Sequence, residues 1–284
     1  MIDNSRFYET KETAWCPGCG NFALRKSLVK ALNELKLKPH QVVMFTGIGQ
    51  AAKMPHYINV NTFNGLHGRS LPPAIGMRVA NHTLTVIVES GDGCSYGEGG
   101  NHFIHNIRRN PDIIHLVHDN QIYGLTKGQA SPTTGMGMKT RVQTDGVKSE
   151  PLNPLSMALG MGVGFVARGF VGEGDHLKEL IKSAFDYKGY ALIDILQPCV
   201  SFNKINTFKW YRERVYKLDE NYDETDLELA FKKAREWEDR IPIGIIYRAE
   251  KVTFRERYGY LEDSPLVNEV GKPSEMSFLL DDFR

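Results

Sequence analysis

Apolar residues recur every three or four positions through Leu24, Leu28, Ala31, Leu32 and Leu35, which predicts an amphipathic helix over 20–37. Lys36 and Lys38 lie at its end and Pro39 stops it. The pattern then changes to short, mainly apolar runs. One covers 42–45 and leads into Gly47-Ile48-Gly49, a second covers 84–88 and leads into Gly91-Asp92-Gly93, and a third covers 113–117 and leads into Asp119-Asn120-Gln121. Runs of this length bounded by turn residues predict buried strands. Two more strand signals fall near 164–171 and 190–196, and helical spacing returns at about 97–109, 153–162, 175–187 and 225–239.

Strand alternating with helix predicts an α/β fold, a parallel sheet with helices on both faces. Ligands of such sheets bind beyond the carboxyl ends of the strands, where the three Gly- and Asn-rich turns would gather. There is no internal repeat, low-complexity tract or long linker. Residues 1–200 read as one domain. Residues 201–284, rich in aromatics and charge, read as an extension of single helices and coil, part of the same domain or a partner contact.

Composition excludes several classes of function. A chain of 284 residues is one large domain or two small ones and can bury a sizeable core. Thirty-five basic against 34 acidic residues leave a net charge of +1, which gives no reason to expect nucleic acid or an anionic membrane as partner. The apolar runs are strand-sized, too short to span a bilayer. The polar N-terminal segment resembles neither a signal nor a transit peptide, so a cytoplasmic protein is expected.

The 27 glycines are clustered, and the densest cluster lies in the chemistry-bearing stretch 91–129. There Asp92, at the end of one strand, and Asn120, at the end of the next, offer hard oxygen ligands that one helix and one return strand bring side by side. Mg²⁺ takes one or two such side chains together with phosphate oxygens. Gly97, Gly99 and Gly100 would open the following helix, where free N–H groups favour an anion. Alone, Gly-Asp-Gly would be a turn; with Asn120 after a strand the pair reads as a site for Mg²⁺ and diphosphate. His102, His105, His115 and His118 flank it and read as structural. Thr126 and Ser131 read as turn residues, and Arg108 and Arg109 as solvated or partner-facing charges.

Cys16 and Cys19 form a CxxC pair, open between zinc, a redox dithiol and an iron–sulfur cluster. A zinc knuckle would present a second close pair. Here the remaining thiols, Cys94 and Cys199, are distant in sequence, and soft thiolates gathered from separate loops suit a buried cluster.

The stretch from Gly91 to Asn120 resembles the general signature of thiamine-diphosphate enzymes. More specifically, Trp15-Cys16-Pro17-Gly18-Cys19-Gly20-Asn21, Gly65-Leu66-His67-Gly68-Arg69, Gly99-Gly100-Asn101-His102-Phe103 and Tyr123-Gly124-Leu125-Thr126-Lys127-Gly128-Gln129 resemble, in order, the β subunit of 2-oxoacid:ferredoxin oxidoreductases. The likeness is strong over 8–135 and looser over 150–200, where it rests on Pro198-Cys199. It implies that Asp92, Asn120 and the carbonyl of Ile122 hold Mg²⁺ against the cofactor diphosphate. It further implies that Gly47, Ile48, Gly49, Gly91, Gly93, Gly124, Leu125 and Thr126 contact thiamine diphosphate, and that His67 is a catalytic group beside it. Lys53 and Lys127 are candidates for a substrate carboxylate, with solvated surface charge the competing reading. Relatives usually carry Asn where this chain has Asp119, but the ligand is the second residue of that pair.

The resemblance also implies a 4Fe–4S cluster, with Cys16, Cys19 and Cys199 matching three of its ligands. Many relatives have a fourth cysteine where this sequence has Gln50, and aspartate where it has Cys94. Cys94 is therefore expected to supply the missing thiolate. A three-cysteine site with a labile iron or a non-thiolate ligand, and no cluster with Cys94 merely buried, remain open. The function implied is CoA-dependent oxidative decarboxylation of a 2-oxoacid, 2-oxoglutarate slightly ahead of pyruvate, with electrons passing to ferredoxin. A non-oxidative thiamine-diphosphate decarboxylase subunit is the alternative, and a non-catalytic iron–sulfur or zinc module a third. The chain is expected to be a complete domain but an incomplete enzyme, needing an α-type partner.

Overall fold

In the computed structural model, which describes residues 5–9, 11–261 and 264–269, the apolar runs become strands. The strands are β1 (Val42–Thr46), β2 (Asn61–Asn64), β3 (Thr85–Gly91), β4 (Ile113–Asp119), β5 (Phe165–Phe170), β6 (Tyr190–Leu196), β7 (Val215–Lys217) and β8 (Ile241–Arg248). They form one sheet in the order β2-β1-β3-β4-β6-β5-β8-β7. Every pairing is parallel except β5 with β8. Residues of β1, β4, β5 and β6 are buried throughout, as strands covered on both faces must be.

The helices are α1 (Gly20–Glu34), α2 (Leu71–Ala80), α3 (Gly100–Arg109), α4 (Pro154–Gly160), α5 (Gly174–Asp186), α6 (Phe208–Arg212) and α7 (Leu227–Arg235). Alternation along the strands sorts their side chains into two cores. Val42, Met44 and Ile87 pack with Leu24, Leu28 and Leu32 of α1 and Leu177, Leu180 and Ile181 of α5. Val43, Phe45, Val86 and Val88 face the other way, toward α2, α3, α4 and α7.

The structure departs from these expectations, or adds to them, at four points. First, α1 ends at Glu34 rather than running to 37. Lys36 adopts left-handed φ (56°), its N–H reaches Asn33 O at 3.0 Å and that of Leu37 reaches Leu32 O at 3.1 Å. This paired bonding satisfies the last carbonyls and stops the helix before Pro39. Second, the helix expected over 97–109 divides into a π-helical turn, Gly93–Glu98, and α3. Third, β2 and α2 carry no readable pattern: β2 is exposed at every residue, and α2 opens on Leu-Pro-Pro. Fourth, the segment beyond 200 is not confined to helices and coil, because β7 and β8 extend the sheet and α7 packs Ala230 and Ala234 into its core. Among the described residues no helix is long and apolar enough to cross a membrane.

Candidate active site at the carboxyl end of the sheet

Register brings three strand ends together: Thr46 pairs with Glu89 across β1 and β3, and Gly91 with His118 across β3 and β4. The turns that follow are therefore neighbours. Gly47 N–H donates to Ser90 Oγ at 3.2 Å, tying the first turn to the second strand. A methyl group at Gly47 would meet the Cys94 sulfur at 2.3 Å, so only glycine fits there.

Asp92 is buried at the entrance to the π-helical turn. Its Oδ2 accepts from Ser131 Oγ at 2.5 Å and Thr133 Oγ1 at 2.6 Å. Burial raises its carboxyl above the usual range, while those two hydroxyls pull it back. Thr133 Oγ1 also lies 2.9 Å from Asp119 Oδ1. Burial, and then the Asp194 and Asp92 charges, hold Asp119 well above the ordinary carboxylate range. The third turn is shaped by its own side chain: Asn120 Oδ1 accepts from Ile122 N at 3.0 Å, across Gln121 at φ 58°. Asn203 Nδ2 steadies it by donating to Asn120 O at 3.1 Å. Carboxylate, carboxamide and backbone carbonyl oxygens are the donors Mg²⁺ prefers, so Asp92, Asn120 and Ile122 fit that ion chemically.

Tyr123 clasps the following loop to the second turn, its hydroxyl donating to Gly93 O (3.3 Å) or Glu98 Oε1 (3.1 Å). Its ring fills the space a side chain at Gly93 would need. Leu125, Thr126 and Lys127 are exposed on this loop, and Thr126 Oγ1 donates to Gln129 Oε1. His67 is exposed on a turn anchored to the end of β1 by Gly65 N donating to Thr46 O at 2.7 Å. Lys53 is half-buried in the short helical stretch Ala51–His56.

The cysteines divide three to one. Cys16, Cys19 and Cys199 line one pocket, together with Gln50, Asn120 and Gly124. Cys94 does not line it. Its sulfur is buried against Gly47 and accepts from Gly68 N at 3.2 Å. The expectation that Cys94 joins the other three is thus not met, because the second turn directs that side chain toward the 65–69 loop. Burial pushes the Cys19 thiol up to about 11, its Asn21 N–H contact lowers it, and the neighbouring Cys199 and Cys16 charges raise it further. Such thiols ionise when a metal replaces the proton. Among the described residues no group of three or more His, Cys, Asp or Glu side chains is arranged to hold a single metal ion. Three thiols around one pocket fit instead the thiolate ligation of an iron–sulfur cluster, whose ligands bind different irons.

Several groups that sequence reasoning missed complete this end of the sheet. Ser131 and Thr133, in a Ser-Pro-Thr-Thr run that reads as a turn, position Asp92. Behind Asp119, a cavity of ≈ 870 Å³ is lined by Thr133, Arg168, Asp194, Trp210 and Trp237. Arg168 is fully buried and stacks over Trp237 at 5.4 Å. Tyr96 donates to Asp194 at 2.8 Å, and burial, opposed by Arg168, brings Asp194 to about 6. Beneath the turns, His118 bridges Glu89 (2.6 Å) and Asn21 (2.8 Å), the residue that follows the CxxC-Gly run.

This fold and these turns define a thiamine-diphosphate-binding domain, and residues 40–195 match the model described as thiamine pyrophosphate enzyme, C-terminal TPP binding domain. Residues 199–263 match the model for the C-terminal part of the pyruvate ferredoxin oxidoreductase beta subunit. Over 282 residues the chain is 44% identical to the 2-oxoacid:ferredoxin oxidoreductase subunit beta of Saccharolobus solfataricus, covering 92% of each protein. It is 45% identical to subunit beta of 2-oxoacid:ferredoxin oxidoreductase 1 of Aeropyrum pernix, covering 91% of this chain and 88% of that one. A solved 2-oxoglutarate:ferredoxin oxidoreductase from Magnetococcus marinus, with 2-oxoglutarate, coenzyme A and succinyl-CoA bound, superposes with a TM-score of 0.91 at 34% identity, covering 98% of this chain and 95% of that one. The chain belongs to the β-subunit family of 2-oxoacid:ferredoxin oxidoreductases, and so is an oxidoreductase subunit.

Proposed function

We propose that the chain joins an α-type subunit to catalyse CoA-dependent oxidative decarboxylation of a 2-oxoacid, with thiamine diphosphate, Mg²⁺ and a 4Fe–4S cluster as cofactors and ferredoxin as electron acceptor. One observation carries this reading: Asn120, the candidate Mg²⁺ ligand, is also a wall of the pocket lined by the three cysteines. Diphosphate site and thiol site therefore share a residue, the proximity that single-electron transfer between cofactors needs. Thiamine diphosphate supplies the carbanion chemistry that releases CO₂, and an iron–sulfur cluster supplies the one-electron steps.

In this reading Asp92, Asn120 and the Ile122 carbonyl hold the metal. Ser131 and Thr133 fix the Asp92 carboxylate from behind, and Gly47, Ile48, Gly49, Gly91, Gly93, Gly124, Leu125 and Thr126 give the cofactor a close backbone surface. His67, on its exposed turn, faces the reacting end, and Lys53 and Lys127 receive the substrate carboxylates. Two lysines favour a dicarboxylate, 2-oxoglutarate, over pyruvate, in keeping with the substrate named for the Magnetococcus relative.

The test is a screen of oxoacids with CoA and a one-electron dye, on anaerobic protein with and without its α-type partner. Turnover is expected only in the complex and only with iron present, and Asp92→Ala is expected to abolish it while leaving the iron content unchanged. Release of CO₂ and an aldehyde by iron-free complex, with no reduction of the dye, would instead indicate a non-oxidative decarboxylase.

A further inference from the structure

Building on the reading that the cysteine pocket holds an iron–sulfur cluster, we infer that Gln50 occupies its fourth corner, so that one iron is held by a carboxamide oxygen instead of a thiolate. Gln50 lines the pocket with Cys16, Cys19 and Cys199. Its Oε1 is buried and has no hydrogen-bond partner. A buried acceptor left unpaired costs about 1–3 kcal/mol, so a fold that keeps one at a thiol-lined wall has a ligand for it to meet.

The backbone at this position is anchored beside the pocket. Gln50 O accepts from Trp15 Nε1 at 2.9 Å, and Trp15, the residue before Cys16, is itself packed edge-on against Phe22 and Tyr57. The loop after β1 and the CxxC segment are thereby fastened to each other beside the pocket. The only other thiol in the sequence, Cys94, is committed to Gly68 N and does not line this pocket.

The consequence is chemical. A neutral, hard oxygen binds iron more weakly than a thiolate, and it leaves the cluster one negative charge short of an all-cysteine site. The iron at that corner is the one to leave. One-electron oxidation by ferricyanide takes [4Fe–4S]²⁺ to [4Fe–4S]³⁺, which releases Fe²⁺ and leaves [3Fe–4S]⁺, with charge and iron both balanced.

The experiment titrates the anaerobically purified complex with ferricyanide in the presence of EDTA, following iron, sulfide and the EPR spectrum. Wild type is expected to lose one iron in four and develop the signal of an oxidised three-iron cluster. Gln50→Cys is expected to keep all its iron, Gln50→Ala to lose that iron before oxidant is added, and Cys94→Ser to behave as wild type. Full retention of iron by wild type and Gln50→Ala alike, or loss of cluster iron in Cys94→Ser alone, would overturn the assignment of Gln50. Wild-type complex without iron or sulfide would overturn the cluster reading itself.

Discussion

Thr133 places one hydroxyl between two buried carboxylates, 2.6 Å from Asp92 and 2.9 Å from Asp119. With Ser131 it fixes the Asp92 carboxylate that is proposed to meet Mg²⁺. Groups that orient a metal ligand from behind contribute about 10–100-fold to metal affinity. Thr133→Val keeps the side-chain shape and removes the donor, so Mg²⁺-dependent binding of thiamine diphosphate, measured calorimetrically, is expected to weaken by about that factor. Binding unchanged from wild type would show that Ser131 alone suffices. Asp92 and Asn120 are readable in the sequence because each closes a strand within a local motif. Ser131 and Thr133 are not, because their contacts to Asp92 bridge 39 and 41 positions and their own segment has only the look of a turn. The place of Cys94 is illegible for a related reason: adjacency of two turns does not say which way a side chain leaves either of them.

The strands that a sequence reveals are those buried on both faces. β1, β4, β5 and β6 are mostly apolar for that reason, with His115, His118, Asp119, Arg168 and Asp194 as buried polar exceptions, and the turns that follow β1 and β4 already locate the site. β2 is an exposed edge tied to β1 by backbone pairing and by the Asn61 and Asn64 carboxamides, which leaves no apolar signal, and β8 carries Pro242 and Gly244 inside an otherwise apolar run, which interrupts the strand pattern. Helix ends are likewise decided by backbone geometry. The end of α1 places Lys36, an exposed residue, at φ 56°, a conformation that costs an L-residue about 1 kcal/mol or more. Lys36→Gly relieves that cost and removes no packed side chain. It is expected to stabilise the chain by about 0.5–1 kcal/mol in urea unfolding, part of the gain being offset by the greater freedom of glycine in the unfolded chain. A loss of stability would mean that the lysine side chain contributes more than its backbone strain.

Ionisable groups buried beneath the site tie the stability of the chain to pH in two opposing ways. Burial raises the carboxyls of Glu89, Asp92, Asp119 and Asp194, so their native forms bind protons more readily than the unfolded chain does and favour folding as pH falls. His115 acts in the opposite sense. It is wholly buried between Tyr190 OH (2.6 Å) and Ser95 Oγ (3.2 Å), and burial lowers it from 6.5 to about 3. Between those values the unfolded chain holds a proton on this side chain and the native chain does not. Its contribution is therefore complete above pH 6.5 and is lost as pH falls toward about 3, at roughly 1.4 kcal/mol per pH unit. Because the carboxyls are common to both proteins, comparison of wild type with His115→Gln isolates this one group. The stability advantage of wild type over the variant, from urea unfolding at a series of pH values, is expected to shrink by roughly 1.4 kcal/mol for each unit below about pH 6. A difference that stays constant with pH would show that His115 takes up its proton inside the folded chain, and that water or a rearranged Tyr190 reaches it there.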